Sequence, residues 1–243
     1  MIPEPLTVLY RDTHLIAIDK PSGLLVHRSG IDRHETRFAM QILRDQIGQR
    51  VHPLHRLDKP TSGVLLFALD ADTARLTGPL FECHRVRKHY LAVVRGWTDA
   101  EGHIDYPLRE ILDAITDAKA RDDKPAQTAI TDYRTLGQTE LPFPVGRYPS
   151  ARYSLLELEP RTGRKHQLRR HMKHIFHPIV GDTTHGDGRH NRLFRDRFGS
   201  DRLLLHCRAM TLPHPVTGDA LSIEAPLSAD FAATLAHLSL PWP

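Results

Sequence analysis

The stretch His55-Arg56-Leu57-Asp58-Lys59-Pro60-Thr61-Ser62-Gly63 runs directly into Val64-Leu65-Leu66-Phe67-Ala68-Leu69, an apolar run bounded by turn residues. Such a run reads as a buried strand, and Pro60 and Gly63 mark the segment before it as a turn. One carboxylate, Asp58, therefore stands among two cations and an imidazole on a loop that leads into a rigid element. A positioned arginine keeps an aspartate ionised, and such a loop holds it without burying its backbone groups, so Asp58 is a candidate nucleophile or base. The same string is also what an ordinary strand-connecting turn looks like, with Asp and Ser bonding their own backbone. Spacing alone leaves the two readings level.

Working outward, Thr7–Tyr10 and Leu15–Ile18 read as short strands, Asp19-Lys20-Pro21-Ser22-Gly23 breaks the pattern, and Leu24–His27 resumes it. Ala39, Leu43 and Ile47, flanked by Phe38 and Ile42, predict a helix within 34–49 that stops at Gly48. Asp70 and Asp72 are placed to cap a helix running to about Cys83, with Leu76, Leu80 and Phe81 as its apolar stripe and Pro79 kinking or shortening it. Lys88–Trp97 is β-rich, 113–127 reads as a solvated excursion, and Thr128–Leu136 and Tyr153–Glu159 as strands. Thr183–Ser200 reads as a polar loop; strands Leu203–Leu212 and Leu221–Glu224 and a helix from Ser228, carrying Phe231, Leu235 and Leu238, complete the chain. This order predicts one α+β domain over 1–243, a mixed and mostly antiparallel sheet flanked by helices.

Arg161–His174 holds six Lys/Arg, three histidines and no acid. Leu168, Met172, Ile175 and Phe176 share one helical face, which leaves the cations mostly on the other, and Pro178 ends the helix. So unbalanced a surface favours phosphate contact over a merely solvated face. His171, His174, His177 and His185 match no structural-zinc spacing, and no metal is expected.

At 243 residues, 40% hydrophobic and 26% charged, the composition is that of a soluble globular protein, with no apolar run long enough to span a bilayer. The start, Met1-Ile2-Pro3-Glu4-Pro5, has neither part of a secretory signal. Cys83 and Cys207 form no finger or CxxC pattern, so the cytoplasm is the expected compartment. A formal charge of +4 and a pI near 9.2 fit a polyanionic partner. Without a dinucleotide fingerprint or a P-loop, no cofactor is expected.

His55-Arg56-Leu57-Asp58 followed by two residues and Thr61-Ser62-Gly63 resembles the catalytic signature of the RluA-type pseudouridine synthases, enzymes that isomerise uridine in RNA. Ile18–Gly23 is similar to that family's opening motif, Lys88–Trp97 to its second, Gly163-Arg164-Lys165-His166-Gln167-Leu168-Arg169 to its third, and His177–Asp182 and Leu205-His206-Cys207 to later blocks. The resemblance implies that Asp58 is the nucleophile, that Tyr90 packs on the target uracil, and that Arg169 pairs with Asp58 while Leu168 floors the base pocket. It further implies that Arg56 replaces a flipped base in the stack, and that His55, Thr61, Arg164, Lys165 and Arg170 attend the substrate. No S4-type RNA-binding module is expected. The strings Leu25-Val26-His27-Arg28-Ser29, Asp32-Arg33, Arg44–Gln49 and Gly146–Pro149 resemble a compact member acting on tRNA, which implies uridine 65 of tRNA as the target and RNA as the partner, with no membrane and no obligatory protein partner. Asp122-Asp123-Lys124-Pro125 departs from that pattern. Ribosomal RNA as substrate, and a non-catalytic RNA-binding module, remain as alternatives.

Overall fold

A computed structural model describes residues 4–27, 35–110 and 125–241. In chain order the first elements are β1 (Val8–Arg11), β2 (Leu15–Lys20), α1 (Ala39–Ile47), β3 (His52–Pro53), β4 (Ser62–Ala68), α2 (Ala71–Glu82) and β5 (Arg87–Arg95). There follow β6 (Glu101–Asp105), β7 (Ile130–Leu141), β8 (Ala151–Pro160), α3 (Gln167–His174), α4 (Gly188–Phe198), β9 (Leu205–Pro213), β10 (Ala220–Glu224) and α5 (Ala229–His237). These strands and helices make an α+β protein, as expected. The chain divides into two compact units, one of Met1–Lys88, Pro107–Gln127 and Ala209–Pro226, the other of His89–Tyr106, Thr128–Arg208 and Leu227–Pro243.

In the first unit every residue of β4 is buried, which is why its sequence shows no polar alternation. β2 runs antiparallel to it, Ile16 opposite Phe67 and Ile18 opposite Leu65; β1 extends β2, and β3 also pairs β4. Burying Val64, Leu65, Leu66 and Phe67 stabilises by about 1.5 to 3 kcal/mol each, enough to make this strand the anchor of the unit. α1 ends where the sequence places it, with Gly48 in the left-handed region at φ 66°.

Two expectations in this unit need correction. Asp70 caps α2 by accepting the Thr73 amide at 2.7 Å, and Pro79 lies inside the helix, but its buried residues are Thr73 and Thr77, while Leu76 is 52% exposed. The Thr77 hydroxyl donates to the Thr73 carbonyl at 2.7 Å, so this polar pair is buried fully bonded and the apolar stripe does not set the helix's phase. Leu24–His27 forms no strand; Leu25 makes one isolated bridge to Phe38. The excursion expected over 113–127 lies outside the described residues except for 125–127, where Gln127 bridges Leu108. The tRNA-like strings at Arg28-Ser29 and Asp32-Arg33 also lie outside them.

The second unit carries an antiparallel sheet in the order β5-β8-β7-β6, its core formed by Leu91, Val93, Leu155, Phe194, Phe231 and Leu235 among others. α3 ends at His174, before the expected limit: Phe176 has φ 64° and is 79% exposed, so it does not extend the buried face of Leu168 and Met172. Thr183–Ser200 is not merely a loop, because it contains α4. Asp187 caps that helix by accepting the Arg189 amide at 3.0 Å, and Phe194 packs into the core beside Leu193 and Phe198. Three apolar residues among arginines gave too faint a periodicity to read. Just before it, Gly181 sits at φ 80°, and a side chain there would place its Cβ 1.8 Å from the Arg202 carbonyl oxygen.

Candidate active site

The Asp58 loop is held by backbone and side-chain contacts. The Asp58 carbonyl accepts the Thr61 amide at 3.0 Å, Leu57 and Thr61 are buried, and Gly63, the second residue of β4, takes φ 107°. The block Asp19–Gly23 clamps this turn. Lys20 is fully buried, and its ammonium donates to the carbonyls of Pro21 (2.9 Å), Leu24 (2.8 Å) and Lys59 (3.1 Å), which offsets the desolvation of the charge. The Ser22 hydroxyl donates to the Pro60 carbonyl at 2.7 Å, the Gly23 amide to the Lys59 carbonyl at 2.9 Å, and Lys59 pairs with Glu35 at 2.7 Å.

His55 is part of that scaffold. Its ring stacks on Phe81 with centroids 5.7 Å apart, and its Nε2 accepts the Leu66 amide at 3.1 Å, tying the loop to β4. Burial, aided by the charge of Lys88, pushes its pKa down to about 3. Arg56 is exposed, and its charge adds to burial in lowering the pKa of His27.

A histidine neutral in the folded state but protonated when unfolded removes stability as pH falls from its ordinary value near 6.5 toward about 3. Urea melts at pH 7 and pH 5 are expected to differ by about 1 to 2 kcal/mol on account of His55. His55→Gln, whose amide oxygen can still accept the Leu66 amide, is expected to narrow that difference; an unchanged pH dependence would remove His55 from the acid response.

In the second unit, Tyr90 is 7% exposed on β5, opposite Leu158 of β8. The turn into α3 is organised by Gln167. Its Oε1 accepts the Thr162 hydroxyl (2.7 Å) and the Arg164 amide (3.0 Å), while its Nε2 donates to the Ile130 carbonyl (2.9 Å) and the Thr131 hydroxyl (3.0 Å). Leu168 is buried, and Arg164 is exposed with its Nε donating to the Thr128 carbonyl at 3.1 Å. Lys165 and Arg170 are partly buried.

Arg169 is 4% exposed and forms a two-point ion pair with Asp182, Nε to Oδ2 at 2.7 Å and a terminal nitrogen to Oδ1 at 2.8 Å. Burial raises the Asp182 pKa, but the Arg169 bond and the amides of His185 and Thr184 outweigh it and hold the carboxyl below its usual range. His185, pushed down to about 4 chiefly by burial, meets His166 at 3.0 Å.

The basic stretch is less unbalanced in space than in sequence. Arg161 pairs with Asp132 (2.7 Å) and Glu159 (2.8 Å), and Arg169 with Asp182, so carboxylates from elsewhere in the chain answer at least two of its six cations. The four histidines weighed for metal are engaged separately: His171 with Thr131 and the Tyr106 carbonyl, His174 stacked on Tyr106, His177 with the Arg95 carbonyl, and His185 with His166. Among the described residues no three metal-binding side chains are grouped.

Sequence reasoning missed Lys20, Gln167 and Asp182 as positioning residues. Each stood inside a motif, but the motif's order carries no sign of which carbonyl, hydroxyl or guanidinium its side chain meets. Among the described residues no helix is long and apolar enough to cross a membrane.

Comparison with known proteins gives a consistent result. The profile of the RNA pseudouridylate synthase family matches residues 14–174. "tRNA pseudouridine synthase C" of Vibrio cholerae is 56% identical over 222 residues, 91% of either chain, and that of Vibrio parahaemolyticus 54% identical over 225 residues, 93% of this chain and 92% of the relative. The solved structure of human RNA pseudouridylate synthase domain containing 4 is 29% identical with a TM-score of 0.73, covering 98% of this chain and 94% of its own. Domain containing 1 gives 25% and 0.71, covering 96% and 90%. With a family profile that spans more than half of the chain and relatives above one-half identity along nine-tenths of it, this chain belongs to the RNA pseudouridylate synthase family.

Proposed function

We propose that this protein isomerises uridine to pseudouridine in tRNA, at position 65, in the cytoplasm, as a single catalytic domain. The observation that carries the substrate is the identity above one half, along nine-tenths of either chain, with relatives named for tRNA. Cys83 and Cys207 are both unbridged, which suits a reducing compartment.

The reaction breaks the N1–C1′ bond, turns the uracil, joins C5 to C1′ and moves the C5 proton off carbon, with no oxidant or donor consumed. Asp58 supplies the carboxylate, adding to C6 or C1′ or acting as base in a glycal elimination, and Arg169 serves the reacting nucleotide. Tyr90 stacks on the ring and Leu168 excludes water. A base inside folded RNA must first be extruded, at a cost of about a few kcal/mol, and the planar cation of Arg56 fills the gap in the stack. Thr61, Arg164, Lys165 and Arg170 attend the substrate, while His55 acts by holding the loop in place. The exposure of Arg56 and Arg164 and the bracing of the Asp58 turn support this reading.

A position-resolved map of pseudouridine in tRNA and ribosomal RNA, from cells with and without the protein, tests it. The expected difference is one tRNA position, 65. Loss of a ribosomal site instead would replace the substrate, and identical maps would overturn the activity.

A further inference from the structure

The arginines of α4 have no part in the chemistry above. Arg189, Arg192, Arg195 and Arg197 are all exposed on a helix whose other side buries Phe194, and Asp196, 3.4 Å from Arg195, is its single acid. Asp187 at its cap is already paired with Arg95 at 2.7 Å. The turn between β7 and β8 joins this face: the Arg197 guanidinium lies 5.0 Å over the Phe143 ring, and a side chain on Gly146 would come within 2.8 Å of the Arg189 guanidinium. At the tip of that turn Tyr148 is 58% exposed with Arg147 stacked on it at 5.1 Å.

Clustered guanidiniums match phosphate geometry in two-point bonds, and an exposed ring backed by a guanidinium is a platform for an unpaired base. We propose that α4 and the β7–β8 turn form a second RNA-docking surface, on which Arg189, Arg192 and Arg195 hold backbone phosphates and Tyr148 stacks an unpaired base. This rests on the RNA substrate proposed above and names where that RNA is gripped apart from the reacting nucleotide. Charge selects the occupant: four cations to one acid on one helix favour a polyanion, and the aromatic tip favours a nucleic acid with accessible bases over an acidic protein.

The test uses the full chain and a tRNA transcript, with affinity measured across salt concentrations. Arg189→Gln/Arg192→Gln/Arg195→Gln is expected to flatten the slope of log affinity against log salt by about 2 to 3 and to weaken binding about tenfold or more at low salt. The single-turnover rate at saturating transcript should stay within about twofold, since only docking is lost. Replacing the same three arginines by lysine should restore most of the slope, because charge is kept. Tyr148→Ala, which alters no buried contact, is expected to weaken binding about fivefold or more, and it decides the matter if circular dichroism shows the triple variant unfolded. A folded triple variant, or a Tyr148→Ala protein, with wild-type affinity and salt slope overturns the surface, as does loss of an acidic protein partner with RNA affinity intact. If wild-type protein binds the transcript steeply in salt yet makes no pseudouridine, the proposed function fails and this surface stands; if the triple variant modifies tRNA with unchanged affinity, only the surface fails.

Discussion

Asp58→Asn is expected to make no measurable pseudouridine while binding tRNA within about threefold of wild type, a fall in turnover of about 10⁴-fold or more. The amide has the carboxylate's shape but is neither a nucleophile nor a base at neutral pH. The turn should survive the change, because its closing bond runs from the Thr61 amide to the Asp58 carbonyl, and the clamp from Lys20 reaches the Lys59 carbonyl. None of those bonds uses the Asp58 carboxylate. Release of tritium from RNA labelled at uracil C5 reads the chemistry, and filter binding reads affinity. Turnover at the wild-type rate would end the assignment of Asp58, and a loss of binding equal to the loss of turnover would make it a structural residue.

The second large effect concerns Arg169. Replacing it by methionine leaves the Asp182 carboxylate, 1% exposed, with the amides of Thr184 and His185 but without its cation. Breaking one side of a buried pair costs about 3 to 5 kcal/mol, so Arg169→Met should melt well below wild type in urea. Removing both charges is a different matter, since two apolar side chains of similar volume fill the site without a stranded ion. Arg169→Met/Asp182→Leu is therefore expected to regain most of the lost stability and still to form no product, which separates the scaffold role of this pair from the proposed work of the guanidinium at the reacting nucleotide. Product at the wild-type rate from the double variant would leave Arg169 a structural residue only. Failure to regain stability would mean that the bonds Asp182 makes to its own loop matter more than the charge it neutralises.

Local rules were legible wherever one residue acted on its near neighbours. Gly48 closes α1 and Asp70 opens α2 because each effect is confined to a single turn of backbone. β4 could be recognised because a strand buried on both faces needs no partner to declare its pattern. The buried face of α2 and the existence of α4 were not legible: the first depends on which neighbour the helix meets, and the second on three apolar residues whose spacing is masked by charge.

The sequence by itself determined the motifs and the residue types they offer, because the aspartate, its turn and the strand behind it are contiguous in the chain. Only the tertiary structure decided partners. It turned Lys20 inward onto three carbonyls, set Gln167 between two segments, gave Arg169 the carboxylate of Asp182, and answered Arg161 with Asp132 and Glu159. Whether a cation is an RNA contact or half of an internal ion pair depends on what the fold brings within about 4 Å of it, and residues that far apart in the chain leave no trace of one another in its order.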